Sequence, residues 1–280
     1  MLQPKLSALL GKEVVIDYVE GGVGGANGTR ALKTAAPDGH TMLMATVGVT
    51  AMLPSTYKAY GVDPLKDFVP VILIADYPNV LAAHRSVPVN SFADLKALAR
   101  KRPDYITYIM ISSTSIHNLE YTAIVKEAGV PLKGIPNNAY GGSGGAMQQT
   151  LNGYVDLIMT TAPYVLPHVR SGEIKPLAIA AATRYFGLPN VPTLTELGVG
   201  STPRGSWMGL FVPTGTPRPI IDKLFAAAKR AAEDPEIKRN AADGGMLIST
   251  SSSPDEFKRF VENETARVSG AVKTLGITPQ

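Results

Sequence analysis

The sequence predicts an α/β protein of two lobes joined by two strands. Three observations carry this expectation. Short apolar runs alternate with amphipathic stretches of helical period along the chain. Small, glycine- or hydroxyl-rich turns separate strand from helix at Gly21-Gly22-Val23-Gly24-Gly25-Ala26-Asn27-Gly28, at Ser112-Ser113-Thr114-Ser115 and at Tyr140-Gly141-Gly142-Ser143-Gly144-Gly145. The length of 280 residues exceeds the usual size of one core, so two units are expected rather than one.

Taken in order, Leu6, Leu9 and Leu10 recur at helical spacing, and Gly11 stops that helix. Residues 14–19 read as a strand, residues 29–35 as the helix capped by the first glycine turn, and residues 41–46 as a second strand beyond the turn Pro37-Asp38-Gly39. This is a βαβ pattern, expected to be right-handed in a parallel sheet with its ligand loops at the carboxyl ends of the strands. Residues 69–75 and 79–83 read as strands around Tyr77-Pro78, and Ser86-Val87-Pro88 as the exit from the first lobe. A helix over 91–102 has Ser91 as N-cap and Asp94 at N3, with Phe92, Leu95 and Leu98 on one face. A strand at 106–111 leads through the hydroxyl-rich turn to a helix over 116–128, closed by Gly129. The turn at 135–138, the helix after Gly145, and strands at 154–159 and 177–181 complete the second lobe. The strand at 207–212 returns to the first lobe, followed by a helix over 217–232 and a terminal helix from Pro254 with Phe257, Phe260 and Val261 as its apolar stripe. Lobe 1 is thus expected from residues 1–86 and 206–280 and lobe 2 from residues 87–205, each a mostly parallel sheet flanked by helices. Two lobes joined by two strands form a hinged architecture that closes around a solute.

Composition narrows the function. Hydrophobic residues make up 45% and charged residues 18%, which suits a compact globule rather than a disordered chain. The net charge of +4 is small for this length and the Lys and Arg residues are scattered, so no nucleic-acid surface is expected. The absence of cysteine excludes disulfides, thiolate metal sites and cysteine nucleophiles, and suits an oxidising compartment without proving one. No window approaches the roughly 18 apolar residues of a membrane span, so no direct membrane insertion is expected. Met1 does not begin a secretory signal, and any export signal is expected to lie outside this sequence.

The three turns share one chemistry. The first turn of a helix leaves backbone N–H groups without internal acceptors, so glycines and hydroxyls at that place favour an anion. No Arg or Lys lies in any of the three turns, which points to directed hydrogen bonds and helix dipoles, and to a carboxylate rather than a polyphosphate. Against a dinucleotide site, Gly-x-Gly-x-x-Gly would need glycine at position 27, which is Asn27, and no Gly-Lys-Ser/Thr follows any of these turns. His40, His84, His117 and His168 never approach metal-ligand spacing, so neither metal nor cofactor is expected. His117 reads either as a general base or ligand donor, or as a capping or core histidine. Ser143 superficially matches a nucleophile elbow but does not directly follow a strand, and His168 lacks a convincing context; a hydrogen bond to a carboxylate is its more economical role. Tyr140 either closes over the ligand or packs between lobes, and Trp207 is read as a hinge or core residue before a stacking platform. The rival class is an α/β enzyme, a nucleotide-dependent dehydrogenase or a serine hydrolase, using the same turns.

Several motifs occur together and in order: Gly-Gly-Val-Gly-Gly-Ala-Asn-Gly at 21–28, Ala-Ala-Pro-Asp-Gly-His-Thr-Met-Leu at 35–43, Asp63-Pro64 with Lys66-Asp67-Phe68, Tyr-Gly-Gly-Ser-Gly at 140–144, Leu-Pro-Asn-Val-Pro-Thr-Leu-Thr-Glu-Leu-Gly at 188–198, Ser206-Trp207, and Val-Pro-Thr-Gly-Thr-Pro at 212–217. Over nearly the whole chain this pattern resembles the Bug-type periplasmic solute receptors of the tripartite tricarboxylate transporters. The resemblance implies a type II periplasmic-binding-protein fold, a small mono- or dicarboxylate between the lobes, delivery to the permease subunits of a membrane transporter, a periplasmic location and a monomer. By position it implies that Gly24, Gly25, Ala26 and Asn27, with Thr46 and Gly48, line the first lobe's carboxylate site. Ser115, His117, Tyr140, Gly142, Ser143 and Gly144 would supply the second lobe's donors. Thr160 stands where many members carry Asp, which implies a plain carboxylate rather than an amino acid. The family's signal peptide, first strand and Pro-Gly-Gly loop would all precede Met1, and truncation of the record is the expected reason.

Overall fold

The computed structural model describes residues 1–112, 114–136, 142–181, 183–200 and 205–280. The chain divides into two compact units: Met1–Asp76, Trp207–Val272 and Thr278–Gln280 form unit 1, and Tyr77–Ser206 and Lys273–Ile277 form unit 2. The chain begins with α1 (Leu2–Leu10), a 3-10 turn (Val23–Gly25), α2 (Ala26–Thr34), β1 (Leu43–Thr46), a π-helical turn (Gly48–Met52), α3 (Leu53–Thr56), α4 (Pro64–Asp67) and β2 (Phe68–Tyr77). It continues through β3 (Asn79–His84), α5 (Phe92–Lys101), β4 (Thr107–Met110), α6 (Ile116–Glu127), β5 (Lys133–Pro136), α7 (Gly142–Leu151), β6 (Leu157–Thr161), α8 (Ala162–Arg170) and β7 (Ile174–Ala180). It returns through β8 (Ser206–Pro213), α9 (Arg218–Ala232), α10 (Pro235–Asp243), β9 (Leu247–Ile248) and α11 (Pro254–Thr274).

Unit 1 holds a sheet of order β1-β8-β2-β9, in which β1 runs antiparallel to β8 and β2 antiparallel to β9. Its core joins Ile72, Ile74, Leu210 and Val212 of the sheet to Ile221, Leu224 and Ala228 of α9 and Leu6 of α1. Each fully buried side chain of this kind contributes about 1.5–3 kcal/mol. α11 packs closely against β8 because Gly209 has no side chain: a Cβ there would lie 2.2 Å from Phe257 Cζ. Trp207 is fully buried and meets Phe257 and Phe260 edge-on, so it is a core residue and not a stacking platform.

Two expectations for unit 1 are overturned. Residues 14–19 form no strand, and Val15, Ile16, Tyr18 and Val19 are exposed. β-propensity alone cannot hold a strand; it needs a ladder partner and a buried face, and this run has neither among the described residues. The βαβ unit is therefore absent there, and β1 pairs antiparallel with β8.

Unit 2 holds a sheet of order β5-β4-β6-β3-β7. β4 is parallel to β5 and β6, whereas β3 is antiparallel to β6 and β7. The unit 2 sheet is thus mixed rather than mostly parallel, and the unit 1 pairings of β1 with β8 and of β2 with β9 are antiparallel. β3, which follows the passage at Tyr77, runs against both of its neighbours, and β8, which follows the passage at Ser206, runs against β1. The strand Asn79–His84, read from the sequence as part of the first lobe, lies in this second sheet. Lys133–Pro136, whose last two residues were read as the start of a turn, pairs with β4 as an edge strand, a place that tolerates Pro136. One face of the sheet packs Val80, Ala82, Ile109 and Ile158 against α7 and α8, through Ala146, Met147, Val165 and Leu166. α5 starts as its sequence indicates: Ser91 Oγ accepts from Asp94 N, and Asp94 Oδ2 accepts from Asn90 N.

Candidate functional site

In unit 1 the glycine turn is shaped by backbone. Gly21, Gly22, Gly24 and Gly25 all have positive φ, and a side chain at Gly22 would meet Asn27 Oδ1 at 2.9 Å. The turn folds on itself: Gly25 N donates to Gly22 O, Ala26 N to Val23 O and Asn27 N to Gly21 O. Asn27 Nδ2 donates to Glu20 O, and Asn27 Oδ1 accepts from Arg30. Its amide side chain thus closes the turn. The turn lies against the π-helical turn and the start of α3, since a Cβ on Gly25 would touch Val49 and one on Gly24 would touch Leu53. Tyr60 supports both from beneath. Its hydroxyl donates to Val49 O at 2.7 Å and lies 3.1 Å from Thr29 Oγ1, which donates to Ala26 O. Burial pushes the Tyr60 phenol up to about 12. Thr46 ends β1 and Gly48 opens the π-helical turn, so the unit 1 candidates Gly24, Gly25, Ala26, Asn27, Thr46 and Gly48 are gathered in one region of that unit.

In unit 2, β4, β5 and β6 are parallel, and α6, α7 and α8 follow their carboxyl ends. The first turns of these helices therefore lie at one edge of the sheet. Ser115 is the N-cap of α6, accepting from Asn118 N and donating to Ser112 O. Gly142, Ser143 and Gly144 open α7, and a Cβ on Gly144 would lie 3.8 Å from the Tyr164 ring of α8. Thr160 pairs with Val80, so it shares the sheet face that packs α7 and α8. Asn79 pairs with Thr161 and points to the other face, where it binds Glu120 of α6. The unit 2 candidates thus fall into two groups at one edge: Gly142, Ser143, Gly144 and Thr160 on one face, Ser115 and His117 on the other. Tyr140 lies outside the described residues.

Two buried polar side chains in unit 2 stand out. Thr160 is fully buried and its Oγ1 has no hydrogen-bond partner among the described residues. His117 is buried in the first turn of α6, and neither ring nitrogen is hydrogen-bonded among the described residues. Burial alone holds its imidazole down at about 4, so the ring is neutral near pH 7. His168 instead bonds Glu173 at 2.8 Å, beside Ser171, at the end of α8.

The start of α8, with Thr161 as its N-cap residue, escaped the sequence reading; its only signal was Pro163 just inside the helix. Glu120 escaped it as well, although a carboxylate between Leu119 and Ala123 on the buried face of α6 is a signal in itself. Among the described residues no cluster could hold a metal and no helix is long and apolar enough to cross a membrane. A depression lined by Phe225, Lys229, Arg230, Glu233 and Asp234 includes no candidate residue.

Two α/β units, each with a sheet flanked by helices, are the architecture of solute-binding proteins of the periplasmic type, and comparison with known proteins identifies that class. The structure superposes on R. palustris Rpa4515 with adipate at a TM-score of 0.89 and 32% identity, covering 100% of this chain and 92% of that one. The periplasmic binding protein BugD matches at 0.86 and 29%, covering 100% and 92%. MatC (Rpa3494) from Rhodopseudomonas palustris with bound malate matches at 0.84 and 28%, covering 97% and 92%. Residues 1–277 match the family described as "Tripartite tricarboxylate transporter family receptor", and the chain belongs to that family. Its members are solute-binding receptors and not enzymes, which sets aside the dehydrogenase and hydrolase alternatives.

Proposed function

We propose that this receptor binds a small organic mono- or dicarboxylate through backbone amides and hydroxyls, and delivers it in the periplasm, as a monomer, to the permease subunits of a tripartite tricarboxylate transporter. The observation that carries the reading is the set of helix starts at the carboxyl edge of the unit 2 sheet, equipped with Ser115, Ser143 and glycines and with no Lys or Arg among the candidate residues. Helix N-termini and neutral donors hold one or two carboxylate charges well and offer no counter-charge for a polyphosphate. The adipate and malate in the related structures support the same ligand class. Thr160 at the end of β6 supplies a hydroxyl where an ammonium ligand would need an anion, which favours a plain acid over an amino acid.

Thermal unfolding against a panel of organic acids, amino acids and NAD tests the reading. An acid at about 100 times its Kd adds about 2.7 kcal/mol of stability, and NAD adds none. Stabilisation by NAD, or by no acid in the panel, would overturn it.

A further inference from the structure

A buried polar chain runs through unit 2 apart from the candidate donors. Glu120 and Asn79 are fully buried and Ser206 is 5% exposed. Asn79 Nδ2 donates to Glu120 Oε1 at 2.8 Å and Oε2 at 2.9 Å, and Ser206 Oγ donates to Asn79 Oδ1 at 3.1 Å. The placement of these residues is specific. Asn79 opens β3 just after the chain enters unit 2 at Tyr77, and Ser206 is the residue at which it leaves for Trp207. Glu120 lies on the helix whose N-cap is Ser115.

Stability does not account for a carboxylate here, since apolar side chains of similar volume in such a place are commonly neutral or stabilising. A hydrogen-bonded polar network instead fixes one arrangement of the elements it joins. The same turns of α6 are held from β4 as well: Tyr108 donates to His117 O at 3.1 Å, and its ring stacks on Tyr121 at 4.1 Å. Ser115 and Glu120 belong to one short stretch of rigid helix, so displacement of the carboxylate moves the hydroxyl.

We propose that Glu120 is a positioning residue. Through Asn79 and Ser206 it ties the first turns of α6, with the N-cap Ser115 and the backbone N–H groups beside it, to the entry of the chain into unit 2 at Tyr77 and its exit at Ser206. The inference rests on the reading of the α6 start as part of a carboxylate site.

Exchanging the two partners tests it. Asn79→Asp sets one carboxylate against another. Asn79→Asp with Glu120→Gln restores an amide facing a carboxylate, with Asp at 79 still able to accept from Ser206. The first readout is hydrogen exchange of residues 116–122 without ligand, which does not depend on the solute reading. Asn79→Asp is expected to speed exchange there about tenfold, and the double variant to return it to within about threefold of the parent. The second readout is adipate affinity, expected to fall about tenfold in Asn79→Asp and to recover in the double variant. Unchanged exchange in Asn79→Asp, or a double variant that fails to restore it, overturns the inference. Should Asn79→Asp not fold, the double variant decides alone: native exchange at 116–122 supports the proposal, and failure to fold refutes it. Normal exchange behaviour in a protein that binds no acid in the panel would instead fault the solute reading.

Discussion

Acidification from pH 7 to pH 5 should weaken unit 2 through a single side chain. His117 has an imidazole held at about 4 by burial, against an ordinary value of about 6.5 in an unfolded chain. The folded-state value is the lower one, so the unfolded chain takes up the proton first. Stability from the neutral ring is fully present above about pH 6.5 and is lost as pH falls toward about 4. Linkage over these two values gives a loss of about 2 kcal/mol between pH 7 and pH 5, and about 3 kcal/mol by pH 4. The upper interval is the informative one, because ordinary carboxylates titrate mostly below it. Urea unfolding followed by far-UV circular dichroism, at pH 7 and pH 5, measures the loss. Trp207 fluorescence is unsuited to this purpose because that residue is buried in unit 1. His117→Gln removes the proton-binding group and should flatten the dependence, whatever it does to stability at pH 7. A variant that loses as much stability as the parent over this interval would refute the reasoning.

Gly209→Ala should destabilise unit 1 by about 1–3 kcal/mol, the usual range for an overpacked core, because the new Cβ would lie 2.2 Å from Phe257 Cζ and 2.8 Å from Ile72 O. A urea midpoint unchanged from the parent would contradict the packing described for α11. Ser143→Ala should lower carboxylate affinity about tenfold, as expected for a lost hydrogen bond to a charged group worth about 1.5 kcal/mol, with the melting temperature of the free protein unmoved; calorimetric titration with an acid that binds the parent reads it, and equal affinity removes Ser143 from the site.

What could be read from the chain in advance follows from where the information lies. Helices with their own caps and stripes were legible. Ser91 and Asp94 mark the start of α5, Gly11 the end of α1, and the spacing of Leu224 and Ala227 the inward face of α9. The starts of α2, α6 and α7 were legible because glycine and hydroxyl side chains announce helix starts locally. Features that depend on a distant partner were not. Residues 14–19 carry the composition of a strand, and only the sheet decides that nothing pairs with them among the described residues. The π-helical turn at Gly48–Met52 is set by packing under the glycine turn, and α10 was missed despite Asp234 capping it before Pro235. The candidate residues were found as separate groups. Their division between the two faces of the unit 2 sheet follows from strand register, which one sequence does not display.

The brace beneath the glycine turn and the seat of α6 respond differently to acid. The Tyr60 phenol keeps its proton across the physiological range, as an ordinary phenol does, and burial holds it higher still at about 12, so the brace it provides between Val49 and Thr29 beneath the glycine turn does not titrate there. Unit 2 depends instead on an imidazole that must stay uncharged. Surroundings that drift toward pH 5 would therefore slacken the α6 seat, while the brace beneath the glycine turn stayed protonated.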